Sequence, residues 1–431
     1  MKDPREPVEA DLLIRGASEV VTCAGPPGAR SGHLQSEVGV IADGAVAALG
    51  SRIVFVGTGE EAQTAVRLRP GATVLDAAGG CVLPGLVDPH THLPFAGWRV
   101  ADFERRLAGA SYSDIARAGG GIRMTVAATR AASREELAGL VRERLDRMLL
   151  HGTTTAEAKS GYGLTLPDEL KQLEALAAGA KGHPVEVVPT LLGAHVVPPE
   201  FAHARAGYVR LVAAEMVPAA ASAGLAEFCD VFVEEGAFTA AEARVILDAA
   251  RSAGLGLRLH AEQFTVSGGA ALAAEYGAAS VDHLEEVAES VAKALAARRV
   301  VAVLLPGASL FAGGGRGAPG RMLIGENVAV AIASDFNPGT CPCESVAAMI
   351  PIACLLCGLT PDEGIVAATI NAAAALGRAD RLGSLEPGKQ ADLAIFDVPD
   401  RRHLAYRFGT NHCRTVVKAG RVVVRDGQRE P

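Results

Sequence analysis

The sequence predicts an α/β protein: a (β/α)8 TIM-like barrel carrying a small composite β-sandwich domain built from both chain termini. Three observations lead there. Between residues 81 and 380, eight apolar β runs alternate with Ala/Leu/Glu/Arg-rich helical segments, the pattern of a parallel sheet with crossover helices. Polar residues able to do chemistry sit at or just beyond the ends of those runs, the face where barrels collect their sites. Short Val/Ile-rich runs separated by turn signals fill residues 1–80 and recur in 381–431, as two halves of one sheet domain would.

The bulk properties narrow the function. A chain of 431 residues has room for a barrel of roughly 250 residues plus an addition. Its 41 basic and 49 acidic residues leave a net charge of −8 with no long basic run, so no electrostatic footprint for nucleic acid is present. The expected partner is a small molecule. Met1-Lys2-Asp3-Pro4-Arg5-Glu6-Pro7 is charged, unlike a signal peptide, and no apolar run approaches the roughly 18 residues that span a bilayer. We therefore expect a soluble, cytoplasmic protein with no membrane association. Eight scattered cysteines fit reduced thiols better than a disulfide framework. Cys341, Cys343, Cys354 and Cys357 superficially offer four thiolates to zinc, but the second pair lies on an apolar helix face (349–357), where cysteine behaves as a small hydrophobe.

In chain order, runs such as Asp11-Leu12-Leu13-Ile14, Val38-Gly39-Val40-Ile41 and Arg52-Ile53-Val54-Phe55-Val56-Gly57 predict a small antiparallel β unit. The apolar stretch Leu83-Pro84-Gly85-Leu86-Val87-Asp88-Pro89-His90-Thr91-His92-Leu93 reads as the first barrel strand. Side chains two apart share a face about 7 Å apart, a gap that a metal bridges. Later strands are expected near 153–158, 185–191, 228–233, 257–260, 280–283, 300–305 and 328–334. Helices over 133–150 and 239–253 open with capping boxes, Ser133 with Glu136 and Thr239 with Glu242. The runs 390–397 and 415–424 return to the terminal sheet.

Lys159, His195, Glu234, His260, His283 and Asp335 each end an apolar run, which points to one shared site. Imidazole and carboxylate suit zinc or iron, and catalytic zinc keeps one position open for water. The expected ligands are His90, His92, His260 and Asp335. Such a metal lowers the pKa of water from ~15.7 to ~7 in the best-known cases, supplying hydroxide as nucleophile. A second ion would need a bridging lysine on a middle strand, and Val231-Phe232-Val233-Glu234 has none. One metal is expected, with Lys159 structural or facing substrate rather than bridging.

The Pro-Gly-Leu-Val-Asp-Pro-His-Thr-His frame, with His260, His283 and Asp335 after the fifth, sixth and eighth strands, resembles the amidohydrolase superfamily. Lys159-Ser160-Gly161-Tyr162-Gly163-Leu164, Leu192-Gly193-Ala194-His195, Asp335-Phe336-Asn337-Pro338-Gly339 and Tyr406-Arg407-Phe408-Gly409-Thr410-Asn411 look like the narrower imidazolonepropionase family, over nearly the whole chain. That resemblance implies hydrolytic opening of 4-imidazolone-5-propanoate to N-formimidoyl-L-glutamate in histidine degradation, and a homodimer. It assigns Arg99 to the propionate carboxylate, to which a guanidinium offers a bidentate fork, and Tyr112, Tyr162, His195, Asn337, Gly339 and Thr340 to ring and carboxylate binding. It gives Asp335 the proton transfer between water and leaving nitrogen, and His283 contact with the water or developing oxyanion.

Two departures from the family stand out. Some relatives have Glu three residues after the fifth-strand histidine; here that position is Gln263, which cannot shuttle a proton but can hydrogen-bond a ring nitrogen. The general-base role then moves to Asp335 and His283, with Glu262 in reserve. The loop Phe311-Ala312-Gly313-Gly314-Gly315-Arg316-Gly317 is unusually glycine-rich and lacks the frame of a phosphate cradle. The rival readings are an aminohydrolase of a nucleobase-like ring, against which Arg99, Tyr162 and Gln263 argue, and a non-catalytic scaffold, against which the intact ligand set argues.

Overall fold

The computed structural model describes residues 6–110, 114, 119–313 and 315–430. Its strands sort into two sheets. The first contains β1 (Val8–Val21), β2 (Val40–Leu49), β3 (Arg52–Thr58), β4 (Val66–Asp76) and β5 (Cys81–Pro84). The barrel strands follow: β6 (Leu86–Asp88), β7 (Thr153–Lys159), β8 (Glu186–Ala194), β9 (Phe228–Val233), β10 (Gly256–Ala261), β11 (Ser280–His283), β12 (Val301–Leu304) and β13 (Val330–Ile332). The chain then returns to the first sheet with β14 (Leu393–Phe396), β15 (Cys413–Lys418), β16 (Arg421–Arg425) and β17 (Gln428–Arg429).

The terminal halves join because β5 pairs with β1 on one side and β14 on the other. Long β1 pairs with β4 through its first half and with β5 through its last residues, and its register against β2 shifts between Ile14 and Ala17. Leu12, Ile14, Val46, Val82, Leu393, Ile395 and Val417 fill the core so enclosed.

The eight barrel strands run parallel in sequential order. The rim closes just past the strand ends. Asp335 N donates to His90 O at 3.1 Å and His92 N donates to Phe336 O at 2.9 Å, while Ser334 N donates to Asp88 Oδ1 at 3.0 Å. The bonds that close the barrel thus tie the first-strand histidines to the eighth-strand aspartate.

The stretch read as one strand over 83–93 is divided. Cys81–Pro84 belongs to the terminal sheet, Leu86–Asp88 to the barrel, and both histidines lie beyond the strand. Gly85 makes the crossing because a Cβ there would meet Thr154 Oγ1 at 2.4 Å. The expectations for 228–233 and 280–283 coincide with β9 and β11, and both capping boxes form, opening helices Arg134–Leu150 and Ala240–Ser252. Strand β8 runs three residues past its expected end, to Ala194, which sets His195 at the barrel mouth. All eight cysteines are free, and the metal-capable clusters among the described residues contain none of them. No described helix is long and apolar enough to cross a membrane.

Candidate metal centre and active site

His90, His92, His260 and Asp335 converge at the bottom of the barrel mouth, each 3% exposed or less. The His90 ring lies 5.4 Å from His92 and 4.4 Å from His260, centre to centre. Asp335 Oδ1 stands 3.5 Å from His90 Nε2 and 3.5 Å from His92 Nε2. Two overlapping triads, His90–His92–Asp335 and His90–His260–His283, keep their ligand atoms within 4.8 Å of one another.

Protonation fits a metal. His90 Nδ1 lies 2.6 Å from Asp282 Oδ2 and His260 Nδ1 lies 3.1 Å from Asp230 Oδ1. A carboxylate only accepts, so both rings carry their proton on Nδ1 and present bare Nε2 atoms. Those Nε2 atoms are buried without a hydrogen-bond partner, the arrangement of a metal-ligating histidine oriented from behind. Burial, with the Lys159 charge adding to it, holds His90 well below the usual histidine range, and burial also lowers His260 despite Asp230. For Asp335 burial works upward, but the hydrogen bond from His92 and the charges of His283, His92 and His260 win, and its carboxyl stays below the usual range.

Sequence reasoning missed the two aspartates behind the histidines. Asp230 sits inside the apolar run Phe228-Cys229-Asp230-Val231, and a charge in a fully buried strand was the available signal, since such charges require partners. Asp282, next to His283, was hidden by that histidine. Lys159 and Arg258, both 0% exposed, supply the partners: Lys159 Nζ stands 2.8 Å from Asp230 Oδ2, and Arg258 Nη2 3.1 Å from Asp282 Oδ2.

Above these four residues opens a cavity of about 480 Å³ lined by Arg99, Tyr162, His195, Phe232, Gln263, His283, Asn337 and Thr340, among others. Arg99 Nε donates to Thr125 Oγ1 at 2.8 Å, and a Cβ on Gly339 would come within 2.3 Å of Arg99 Nη1. Gly339 therefore leaves room for the guanidinium. His195 stacks on His92 at 5.4 Å and 22°. Its Nδ1 donates to Gly161 O at 2.9 Å, and burial, then His92 and His260, hold it well below the usual range, so it presents a neutral Nε2. Burial raises the Tyr162 phenol, keeping it a neutral donor. The Gln263 side chain has no hydrogen bond to the described residues and lines the cavity. Tyr112 lies outside the described residues.

Asn337 differs from the expectation of a ring-binding amide. Its Oδ1 accepts from Gly339 N and Thr340 N, both at 2.8 Å, and its Nδ2 donates to Asp335 O and Thr340 Oγ1, both at 2.7 Å. All four hydrogen-bonding positions are used within its own loop. Thr340 Oγ1 in turn donates to Asp335 Oδ2 at 3.2 Å, so this loop fixes the carboxylate.

Glu262 is a correction. Its carboxylate accepts from Gly268 N at 2.8 Å and Ala270 N at 2.7 Å, at the start of helix Gly269–Tyr276, which aims it at that helix and away from the residues that line the cavity. Glu262→Ala is expected to lower stability by about 1–3 kcal/mol, the cost of stranding buried donors, with kcat changing less than tenfold. Thermal unfolding and steady-state kinetics check this. Glu234 is likewise engaged, accepting from Phe264 N at 2.9 Å. His283 remains at the site, its ring 5.4 Å from His260. Burial lowers its pKa, but Glu285, Asp335 and Asp282 together raise it above the usual range. His283 and Asp335 both hold positive φ, 81° and 50°, a strain of about 1–3 kcal/mol each that concentrates at functional sites.

This arrangement agrees with comparisons against known proteins. The amidohydrolase family model matches residues 81–423. The chain is 50% identical to the imidazolonepropionase of Symbiobacterium thermophilum over 419 residues, 97% of this chain and 98% of that one. It is 48% identical to that of Geobacillus kaustophilus over 420 residues, 97% and 99% of the two chains. Among solved structures, a zinc-bound adenosine deaminase from Xanthomonas campestris shares the fold at a TM-score of 0.71 and 21% identity, covering 98% of this chain and 95% of that one. The chain belongs to the amidohydrolase family and, within it, to the imidazolonepropionases.

Proposed function

We propose that this protein is a metal-dependent hydrolase that opens the ring of 4-imidazolone-5-propanoate to N-formimidoyl-L-glutamate, a step of histidine degradation. The observation that carries the reading is the convergence of His90, His92, His260 and Asp335 beneath a cavity that also holds Arg99. Full-length identity of 43–50% to imidazolonepropionases supports it.

His90, His92, His260 and Asp335 would hold one divalent ion, zinc or iron. Such an ion supplies Lewis acidity, polarising a carbonyl and making water nucleophilic near neutral pH. Arg99 pairs with the propionate. Gln263 and His195 offer hydrogen bonds to the ring, and Tyr162 closes its side. Asp335, kept ionised and steadied by Thr340, takes a proton from the attacking water and delivers it to the leaving ring nitrogen. His283, its pKa raised against burial by Glu285, Asp335 and Asp282, donates to the developing oxyanion. Lys159 does not serve as a second-metal bridge in this reading: its ammonium is engaged by Glu157 at 2.7 Å and Asp230 at 2.8 Å, and although burial works against the charge those carboxylates raise its pKa.

A homodimer in a reducing, cytoplasmic setting completes the proposal. Eight free thiols support the setting. Exposed Leu310, Leu355 and Phe408 around one apolar groove support self-association, and they give the Arg407–Asn411 part of the Tyr406–Asn411 motif a role away from the catalytic centre. Turnover of 4-imidazolone-5-propanoate with product identified by mass tests the substrate. Formation of N-formimidoyl-L-glutamate is expected, whereas ammonia release from nucleobases without it would favour an aminohydrolase.

A further inference from the structure

Lys159 is a fully buried ammonium at the end of β7, and a buried charge is costly unless it is paired. A packing role alone would be filled better by Met or Leu. Its partners share one property, in that each leads to the metal ligands. Asp230 Oδ2, 2.8 Å away, belongs to the carboxylate that orients His260. Asp282 Oδ2, 3.8 Å away, belongs to the one that orients His90. Glu157 Oε1, 2.7 Å away, belongs to a carboxylate that accepts from Thr91 N at 3.2 Å, between His90 and His92. The Lys159 amide also donates to Thr91 O at 2.9 Å.

The two orienting aspartates are not equally supported. Asp282 has Arg258 at 3.1 Å and the Ser280 hydroxyl at 2.6 Å besides Lys159. Asp230 has Lys159 as its sole Lys or Arg partner among the described residues. Without that ammonium, its carboxylate would be a buried charge with His260 as its one direct partner among the described residues and the Arg258 charge acting on it from further off.

We propose that Lys159 is a positioning residue for the metal centre, acting chiefly through Asp230 on His260 and secondarily on the His90–Thr91–His92 turn. This rests on the metal-site reading above. The test equilibrates zinc-loaded holoenzyme against a chromophoric chelator for the wild type, Lys159→Met, Asp230→Asn, Asp282→Asn and the two double variants containing Lys159→Met. Lys159→Met should weaken zinc affinity about ten- to a hundredfold, the usual cost of losing a group behind a metal ligand. Adding Asp230→Asn to it should cost much less than Asp230→Asn costs alone, while Asp282→Asn should stay close to additive. A merely structural lysine would lower the melting temperature and leave zinc affinity unchanged. Wild-type affinity in Lys159→Met, or full additivity with both aspartates, would overturn the proposal. Should Lys159→Met not fold, Lys159→Met/Glu157→Gln removes the stranded carboxylate with the ammonium, and wild-type zinc affinity there would also overturn it. A wild type that binds no zinc would instead sink the metal-site reading itself, and this proposal with it.

Discussion

Asp335→Ala is expected to lose bound metal and to lower kcat by at least about a thousandfold while the barrel stays folded. Proton transfer by a positioned side chain contributes on the order of 10²–10⁴ in rate, and this carboxylate is also one of the proposed ligands, so the two losses compound. Folding should survive because barrel stability rests on its apolar layers, and because the rim is closed by backbone atoms of Asp335 and Phe336 rather than by the carboxylate. His90→Ala should behave alike, leaving the Asp282 carboxylate without the imidazole N–H that it accepts from. Elemental analysis, kinetics and circular dichroism on both variants decide the matter. Stoichiometric metal retained in both would reject the ligand set.

Arg99→Met should lower kcat/KM on 4-imidazolone-5-propanoate by about ten- to a hundredfold. Hydrogen bonds to charged groups contribute ~1.5–3 kcal/mol, and a planar guanidinium matches a carboxylate as no ammonium does. Thr125 and the space above Gly339 fix that guanidinium beside the cavity. Much of the loss should appear in KM, because a pairing made equally in ground and transition states raises affinity without raising kcat. On a ring lacking the side chain the substitution should have little effect. Equal losses on both substrates would mean that Arg99 does not read the carboxylate.

The parts of this site that were legible in the sequence are those governed by local rules. Strand ends follow from apolar runs, and the barrel rule then places His260, His283 and Asp335 together without any knowledge of distance. What stayed hidden depends on contacts between distant segments. Val82-Leu83 and Leu86-Val87 are equally apolar, so the handover between two sheets at Gly85 left no trace except a glycine whose clash partner, Thr154, lies on another strand. Glu262 stands two residues past His260, yet a positive φ of 51° turns its carboxylate onto the next helix. Asn337 belongs to a motif that resembles the family's, but a motif does not say whether an amide faces substrate or its own loop. Asp230 and Asp282 read as unremarkable acids until their histidines are brought against them.

His90, His92, His260 and Asp335 make up the proposed single-ion hydrolytic centre. Its most direct test is to strip the protein with chelator, add back zinc or iron(II) in fractions of an equivalent, and follow hydrolysis of 4-imidazolone-5-propanoate. Activity should be absent from the stripped protein and rise linearly to a plateau at one equivalent per chain. Full turnover by stripped protein, or a plateau reached only at two equivalents, would contradict it.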